Sequence, residues 1–452
     1  MRRAVRRRTH RGTAVGVLGA ILLAVAGTGL ANADSSVVPP TPAPAVLAPI
    51  VISAQTSTVP TLLGVGTAIG PLVNAKTLGD ESVVVLDPGT SQVLFERSGA
   101  VPRTPASTLK LATSAAALNV LGPQARIPTI VFAKGRTLYL VGGGDPTLVR
   151  QNGGDPLAGG SASMKALARA SVATLTAGKP FKVVYDTSAF TGPVLGPGWP
   201  SSFPGAGVVA PVTALVVDGG RVRPGALSRV ADPSRQAAEA FAAYLRGQGL
   251  TISTVKPGVR DATSKELARV ESPPVADIVQ RMLTDSENNY AEALAHLTGG
   301  KLLKDPSFTG GSAATTQTLK QMGIETSAVT IVDGSGLSRQ DRVPAMVLAT
   351  VLSDMAKGAD PDLAAIAPGL AVAGLTGTLA DRFTTPQTAA GRGYVHGKTG
   401  TLTGVISLAG TVQDADGRVL VFAIISNKVG SLDLARETMD RIASELATCG
   451  CR

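Results

Sequence analysis

The most informative stretch of this sequence is Pro105-Ala106-Ser107-Thr108-Leu109-Lys110, in which a serine and a lysine lie three residues apart. The proline suits the first turn of a helix, and the Ala/Leu-rich segment that follows ends at Gly122-Pro123. On a helix, Ser107 and Lys110 share a face. The lysine can deprotonate the serine if burial or a second cation lowers the pKa of the lysine. The start of the helix would also direct backbone N–H groups toward an oxyanion.

The Ser-x-x-Lys spacing alone does not identify a nucleophile. The stretch Ser253-Thr254-Val255-Lys256 has the same spacing, but it precedes Pro257 in a segment predicted to be extended. Residues three apart on a strand face opposite ways. Further motifs are therefore needed to distinguish Ser107 from Ser253.

Two later motifs supply complementary chemistry. Ser286 and Asn288, at the predicted start of a helical segment, offer a hydroxyl that can relay a proton and an amide that can hold a substrate amide. The only Lys-Thr-Gly of the chain is Lys398-Thr399-Gly400, and the glycines around it predict a strand that a ligand approaches closely. Taken singly, these motifs are also compatible with a capped helix start and a glycine-rich hairpin edge.

In this order, the three motifs resemble those of the penicillin-recognising serine enzymes, which are DD-peptidases and serine β-lactamases. The 179 residues from Ser107 to Ser286 exceed the separation in compact β-lactamases. Together with Gly142–Leu148, Gly196–Pro200 and Asp333–Arg339, this separation resembles the D-alanyl-D-alanine carboxypeptidase/endopeptidase family of low-molecular-mass penicillin-binding proteins. In that family, extra domains interrupt the catalytic domain.

The resemblance implies an α/β (α+β) fold with a serine transpeptidase-like domain, in which helices flank an antiparallel sheet. We expect this catalytic domain at residues 70–124 and 266–452, and one or more inserted β-rich modules at 125–265. A chain of 452 residues is long enough for two or three domains. The local patterns predict the following strands and helices: a hairpin of Ser82–Leu86 and Gln92–Phe95; strands at Leu138–Val141, Phe181–Tyr185, Leu215–Val217, Gly404–Val412 and Val419–Ser426; and helices within Val275–Leu297, Pro344–Met355 and Leu432–Leu446.

The resemblance also implies roles for the motif residues. Ser107 would attack the penultimate D-Ala carbonyl with Lys110 as base, and the backbone N–H groups of Ser107 and Thr401 would form the oxyanion hole. Ser286 would return the proton to the leaving D-Ala, and Asn288 would hold the peptide amide.

The remaining implied roles concern substrate binding. Lys398 would attract the terminal carboxylate of the substrate and help to lower the pKa of Lys110, with Thr399, Gly400 and Thr401 nearby. Arg339 matches a family position that binds the distal carboxylate of a diamino-acid side chain. Trp199 is a candidate wall of that pocket, although a lone tryptophan also suits a core. The acidic residue that pairs with the side-chain amine in some relatives would fall at Ser202, which leaves the side-chain specificity open.

The N-terminal segment predicts export. Much of the net charge of +10 comes from arginines within the first eleven residues: Arg2, Arg3, Arg6, Arg7, Arg8 and Arg11. An apolar run at 14–26 and the small-residue cleavage pattern Ala31-Asn32-Ala33 follow, which is typical of a signal peptide at 1–33. An uncleaved membrane anchor is the alternative. A Pro/Ala-rich linker is predicted at 34–69, and we expect the enzyme outside the cytoplasmic membrane, in the periplasm or in the cell wall.

Other chemistries lack the residues that they need. The histidines are His10, His296 and His396, no Gly-x-Ser-x-Gly motif accompanies them, and no ligand spacing suggests a metal. No cofactor is expected, and no basic cluster interleaved with aromatic residues suggests nucleic-acid binding. Cys449 and Cys451 are expected either as a disulfide or as two free thiols.

The sequence therefore predicts an exported serine D-Ala-D-Ala carboxypeptidase, with DD-endopeptidase activity also expected. Its partners would be peptidoglycan stem peptides and β-lactam antibiotics. The alternatives are a serine β-lactamase, although no Glu-x-x-Leu-Asn pattern lies between Asn288 and Lys398, and a non-catalytic cell-wall binding protein. The balance of the two peptidase activities and the oligomeric state stay open.

Overall fold

The computed structural model describes residues 57–151, 162–358 and 360–451. The predicted signal peptide, 1–33, and the first part of the predicted linker, up to residue 56, lie outside the described residues. The α-helices are α1 (Leu62–Val73), α2 (Lys110–Leu121), α3 (Met164–Val172), α4 (Phe203–Ala206), α5 (Pro233–Gly247), α6 (Val275–Thr284), α7 (Asn288–Leu303), α8 (Phe308–Gln321), α9 (Ala345–Lys357) and α10 (Leu432–Thr448). The strands are β1 (Asp80–Asp87), β2 (Gln92–Arg97), β3 (Pro102–Arg103), β4 (Pro128–Lys134), β5 (Thr137–Gly142), β6 (Phe181–Asp186), β7 (Ile252–Pro257), β8 (Lys265–Glu271), β9 (Val343–Pro344), β10 (Ala371–Val372), β11 (Val395–Leu402), β12 (Val405–Gln413) and β13 (Val419–Asn427).

The main sheet is antiparallel, in the order β10-β11-β12-β13-β1-β2, and helices cover both of its faces. In β1, Val83 and Val85 pack with α1 and α10, whereas Val84 and Leu86 pack with α2, α7 and α9. Successive side chains of a strand point to opposite faces, so this apolar run is buried on both sides. The mixed fold with an antiparallel sheet between helices is confirmed.

Most predicted elements of this layer are confirmed within about two residues at each end: the β1–β2 hairpin, β12, β13, α9 and α10. The helical stretch predicted within Val275–Leu297 is interrupted. It forms α6 and α7, separated by a short turn that contains Ser286. This interruption matters because it presents Ser286 at the start of a helix.

The folded part begins before the predicted end of the linker at residue 69. Helix α1 starts at Leu62, and its residues Val65, Ile69 and Val73, spaced four apart, are buried against α10 and the sheet. Thr61 N–H donates to the carbonyl of Cys451 at 2.7 Å. Cys449 and Cys451 form a disulfide. The Pro/Ala-rich composition led to the prediction of a linker, although the buried residues of this segment recur every four positions, as on a helix. Helix α10 packs against this apolar face.

A second sheet, in the order β7-β6-β5-β4-β8, is mixed. Its β4 is antiparallel to β5 and β8, whereas β5, β6 and β7 are parallel. Parallel neighbours need crossover connections, and α3 and α5 lie in the connections that precede β6 and β7. The module therefore contains helices as well as strands, and β8 continues past the predicted end at 265.

The predicted strand Leu215–Val217 is wrong. These residues lie in an irregular segment, yet Leu215 and Val217 are buried in the core of the second sheet. A short apolar run indicates that its side chains are buried, but it does not show that the backbone pairs with another strand. A buried loop therefore has the same pattern.

The second sheet starts and ends at one place on the main body. Ser272 N–H donates to the carbonyl of Ile127 at 3.0 Å, and Val275 N–H donates to that of Ala125 at 2.9 Å. Because the two connecting segments pair, residues 128–271 interrupt the main body without separating α2 from α6. In the part of the chain that the structure describes, no helix has the length and apolar character needed to cross a membrane.

We predict that Ile69→Ala lowers the free energy of unfolding by about 2–5 kcal/mol, because Ile69 is fully buried under α10. Leu63→Ala is the control on the same helix, since Leu63 is 81% exposed and its truncation should change stability by about 0.5 kcal/mol or less. Urea unfolding measures both. Equal effects of the two variants would contradict the packing of α1.

Candidate active site

Ser107 and Lys110 lie side by side, as the spacing predicts. A short 3₁₀ turn, Ala106–Leu109, leads directly into α2, and Lys110 Nζ lies 3.0 Å from Ser107 Oγ. Ala106 adopts a left-handed conformation, with φ of 50°, which is unusual for a residue with a side chain. Gly336 contacts this turn so closely that a Cβ would lie 1.9 Å from the Ala106 carbonyl oxygen. The nucleophile is therefore held by a strained and tightly packed turn.

Lys110 is fully buried, and its amine has three oxygen partners. Besides Ser107 Oγ, Nζ donates to Asn288 Oδ1 and to the carbonyl of Ser335, each at 2.8 Å. An ammonium has three hydrogens to donate, whereas a neutral amine has two and a lone pair. When Lys110 loses a proton, the Ser107 hydroxyl can donate to that lone pair. This is the geometry that a general base needs.

Burial lowers the pKa of Lys110 to about 8, and the negative charges of Glu292, Asp333 and Glu287 oppose this shift. Lys398 was expected to help lower the pKa of Lys110, but the effect between the two lysines is resolved on Lys398. Lys398 is also fully buried, and burial together with the charge of Lys110 lowers the pKa of Lys398 well below its usual range. The main cause of the lowered pKa of Lys110 is therefore desolvation.

Ser286 lies in the turn between α6 and α7 with a left-handed φ of 59°. Its hydroxyl accepts a hydrogen bond from Lys398 Nζ at 2.9 Å, and Nζ also donates to the carbonyl of Thr399 at 2.8 Å. Asn288 begins α7, and its amide group orients Lys110 on one side while donating to the carbonyl of Val208 at 2.8 Å on the other. The insertion that carries Val208 thus contacts the site directly.

Strand β11 approaches the Ser107 turn at Gly400. A Cβ at Gly400 would lie 2.2 Å from Ser407 Oγ and 3.0 Å from the backbone nitrogen of Ser107. Ser407 Oγ donates to the carbonyl of Pro105 at 2.7 Å, which ties the neighbouring strand β12 to the same turn. Only glycine permits this approach, which brings the end of β11, with the exposed Thr401, beside the N–H of Ser107.

The two remaining predicted binding residues, Trp199 and Arg339, differ in exposure and in their partners. Trp199 is buried, and its indole N–H donates to Asp333 Oδ2 at 2.8 Å, so it supports the loop 333–341 from within. Arg339 extends from this loop to the end of β11, where it donates to the carbonyl of Thr403 at 2.5 Å. Ser202 is exposed next to α4. Arg339 thus lies beside the end of the Lys-Thr-Gly strand, and Leu402, the last residue of that strand, packs against the apolar cluster that contains Trp199.

His296 and the second Ser-x-x-Lys stretch make structural contacts. His296 packs against Phe190 and Phe308, its Nδ1 bonds the carbonyl of Glu292, and burial lowers its pKa to about 4. Ser253 lies on β7 and donates to the carbonyl of Phe181, which confirms that its stretch is extended. Within residues 57–151, 162–358 and 360–451, no group of three His, Cys, Asp or Glu side chains could hold a metal ion.

Two residues of the site escaped the sequence analysis. Thr378 accepts a hydrogen bond from the hydroxyl of Thr399 at 2.8 Å. A signal for it existed, because Thr376-Gly377-Thr378-Leu379 repeats the Thr-Gly-Thr-Leu of 399–402. Glu292 is fully buried on α7 and accepts N–H bonds from Gly334 and Ser335. The sequence offered one indication of Glu292, which is its position one helical turn after Asn288.

The arrangement places the Ser107 hydroxyl beside the buried amine of Lys110, adds the contact between Ser286 and Lys398, and brings β11 up to the backbone N–H of Ser107. These are the parts that acyl transfer through a covalent serine intermediate requires.

Comparison with known proteins agrees with this chemistry. The sequence matches the D-Ala-D-Ala carboxypeptidase 3 (S13) family over residues 71–228 and 223–448. It is 36% identical to the carboxypeptidase DacB of Mycolicibacterium smegmatis, covering 99% of this chain and 98% of that protein. It is 29% identical to the D-alanyl-D-alanine carboxypeptidase of an Actinomadura species, covering 81% and 80%. The crystal structure of penicillin binding protein 4 from Haemophilus influenzae shares the fold, with a TM-score of 0.70 at 22% identity over 84% of this chain and 98% of that one.

We predict that Gly400→Ala slows acylation of Ser107 by a fluorescent β-lactam by about 10²-fold or more, because the added methyl group moves β11 away from the Ser107 N–H. Gly66→Ala, on α1 with open space around it, is the control and should label at the normal rate. Labelling is measured after denaturing electrophoresis, and far-UV circular dichroism checks the fold. A normal rate for Gly400→Ala would contradict the required close approach.

Proposed function

The chain belongs to the D-Ala-D-Ala carboxypeptidase 3 (S13) family, and we propose that it removes the terminal D-Ala of peptidoglycan stem peptides through an acyl-enzyme on Ser107. As a member of this family, it is a serine-type D-Ala-D-Ala carboxypeptidase. The observation that carries the proposed mechanism is the 3.0 Å contact between Ser107 Oγ and the fully buried amine of Lys110.

In the acylation step, neutral Lys110 takes the proton of Ser107 while Ser107 Oγ bonds to the carbonyl carbon of the penultimate D-Ala. The carbonyl oxygen becomes an oxyanion, which the N–H groups of Ser107 and Thr401 stabilise. When the intermediate collapses, the peptide C–N bond breaks and the leaving D-Ala amine takes a proton from Ser286. The proton on Lys110 restores the Ser286 hydroxyl. Water then hydrolyses the ester and regenerates Ser107.

The buried Lys398 fits recognition of the terminal carboxylate. Its amine contacts Ser286 Oγ and the Thr399 carbonyl, and burial disfavours its charged form. A substrate carboxylate placed beside it would favour the charged form again. Binding of a free C-terminus would thereby assemble a positive site next to the proton donor Ser286, which favours carboxypeptidase substrates.

We also propose that the enzyme is exported and that it cleaves peptide cross-links. The N-terminal arginines, the apolar run at 14–26 and the pattern Ala31-Asn32-Ala33 support export to the outer side of the cytoplasmic membrane. A cross-link that follows a D-Ala presents the same carbonyl to Ser107 as a stem peptide does, which supports DD-endopeptidase activity. β-Lactams present a reactive acyl group to the same serine.

We predict that the purified full-length chain releases D-Ala from purified peptidoglycan and separates cross-linked peptides, and that Ser107→Ala does neither. Mass spectrometry of the digest measures both products. Release of D-Ala by Ser107→Ala would contradict the assignment of the nucleophile. An intact digest together with rapid hydrolysis of nitrocefin by the wild type would contradict the peptidase function and favour a β-lactamase.

We predict that Lys110→Met lowers acylation by a fluorescent penicillin by about 10²–10⁴-fold while the protein stays folded, because a general base contributes mainly to rate. Lys256→Met, in the second Ser-x-x-Lys stretch on β7, is the matched control and should label normally. The same labelling rate in Lys110→Met and wild type would contradict the role of Lys110 as base.

A further inference from the structure

Three carboxyl groups lie buried close to Lys110, and the reaction scheme above uses none of them. Glu292 on α7 and Asp341 are fully buried, and Asp333 is 1% exposed. Each would lose much of its hydration on folding, so each needs compensating partners. We call Glu292, Asp333 and Asp341 the carboxyl cluster.

Glu292 connects to Lys110 through the backbone of one residue, Ser335. Its Oε2 accepts the N–H of Gly334 at 2.9 Å and its Oε1 accepts that of Ser335 at 2.8 Å. The carbonyl of Ser335 then accepts a hydrogen bond from Lys110 Nζ at 2.8 Å. Glu292 lies one helical turn after Asn288, the other oxygen partner of Lys110 beside Ser107. Helix α7 therefore positions two of the three partners of the amine, Asn288 directly and Ser335 through Glu292.

Asp333 and Asp341 organise the loop that carries Ser335. Asp333 accepts N–H bonds from Gly336 and Ser338, each at 2.7 Å. Asp341 Oδ1 accepts the N–H of Val332 at 2.9 Å. Burial, followed by the charge of Asp333, raises the pKa of Asp341 to about 10, which favours its protonated form near neutral pH. Asp341 adds no negative charge to the cluster near neutral pH.

The charged groups around Lys110 come from several elements. Glu292 on α7 has the largest opposing effect on the lowered pKa of Lys110, ahead of Asp333 in the loop and Glu287 before α7, while Lys398 faces it from β11. Burial, followed by the charge of Asp333, raises the pKa of Glu292, whereas the Ser335 and Gly334 N–H groups and the charge of Lys110 favour its ionised form. Both oxygens of Glu292 accept backbone N–H bonds, which is the arrangement of an ionised carboxylate, so Glu292 faces Lys110 as a negative charge.

We propose that Glu292 is a positioning residue for the reaction of Ser107: through Ser335 it holds the amine of Lys110 in place, and its negative charge sets the pH range in which Lys110 accepts a proton. This inference rests on the proposed function, in which neutral Lys110 is the base. The charge of Glu292 stabilises the protonated lysine, so removing it makes the neutral lysine available at lower pH. If Glu292 merely supported the loop 333–341, its replacement would change the acylation rate but would leave the pH dependence of that rate unchanged.

The test is the second-order rate constant for acylation by a fluorescent penicillin between pH 5.5 and 9.5. For the wild type, the rate should rise with pH, with a midpoint near the Lys110 pKa of about 8, and level off about one pH unit higher, where nearly all of Lys110 is neutral. Glu292→Gln should lower the plateau and move the midpoint of the rise to lower pH by about 1 unit. Glu292→Asp keeps the charge but is shorter, so its plateau should fall while its midpoint stays near that of the wild type.

Asp341→Asn is the matched control within the carboxyl cluster. Because Asp341 is already neutral over most of this pH range, its replacement by a neutral amide should leave the midpoint unchanged. An unmoved midpoint in Glu292→Gln, or an equal shift in Glu292→Asp, would overturn the inference. If Glu292→Gln does not fold, a shifted midpoint in Glu292→Asp alone would also overturn it. A wild type that is not acylated at any pH would instead contradict the proposed function.

Discussion

The complete burial of Lys110 is the constraint on which the rest of the site depends. Water would keep an exposed lysine charged and useless as a base, and desolvation lowers its pKa to about 8. Burial of an amine is costly unless its hydrogens find partners, and here Ser107, Asn288 and the Ser335 carbonyl provide them. The contacts that make the burial tolerable also orient the amine toward the nucleophile.

These partners come from distant parts of the chain, so the site exists only when the whole fold is assembled. Asn288 starts α7, Ser335 lies in the loop after α8, and Gly400 on β11 closes the site from the main sheet. The inserted segment takes part as well, because the carbonyl of Val208 accepts a hydrogen bond from the amide of Asn288. The insertion therefore stabilises a residue that touches the base, besides any role in substrate recognition.

Backbone strain and close approach concentrate at the same place. Ala106 and Ser286 both have left-handed conformations, and each precedes or carries a reactive hydroxyl. Gly336 and Gly400 pack against the Ser107 turn where a side chain would collide. Such local departures from the preferred geometry persist when the surrounding packing over-determines them, and they hold reactive groups in fixed positions.

The sequence by itself determined the elements with a strong local pattern, such as the β1–β2 hairpin and α10, and the motif residues from Ser107 to Lys398, because three ordered motifs carry more information than one. It failed for α1, whose apolar face is covered by α10, and for Leu215–Val217, where burial without pairing imitates a strand. It also could not reveal the Ser335 carbonyl, since every residue has a carbonyl, or decide that burial is the main cause of the lowered pKa of Lys110. Both depend on which distant groups surround the amine, and only the tertiary structure decides that.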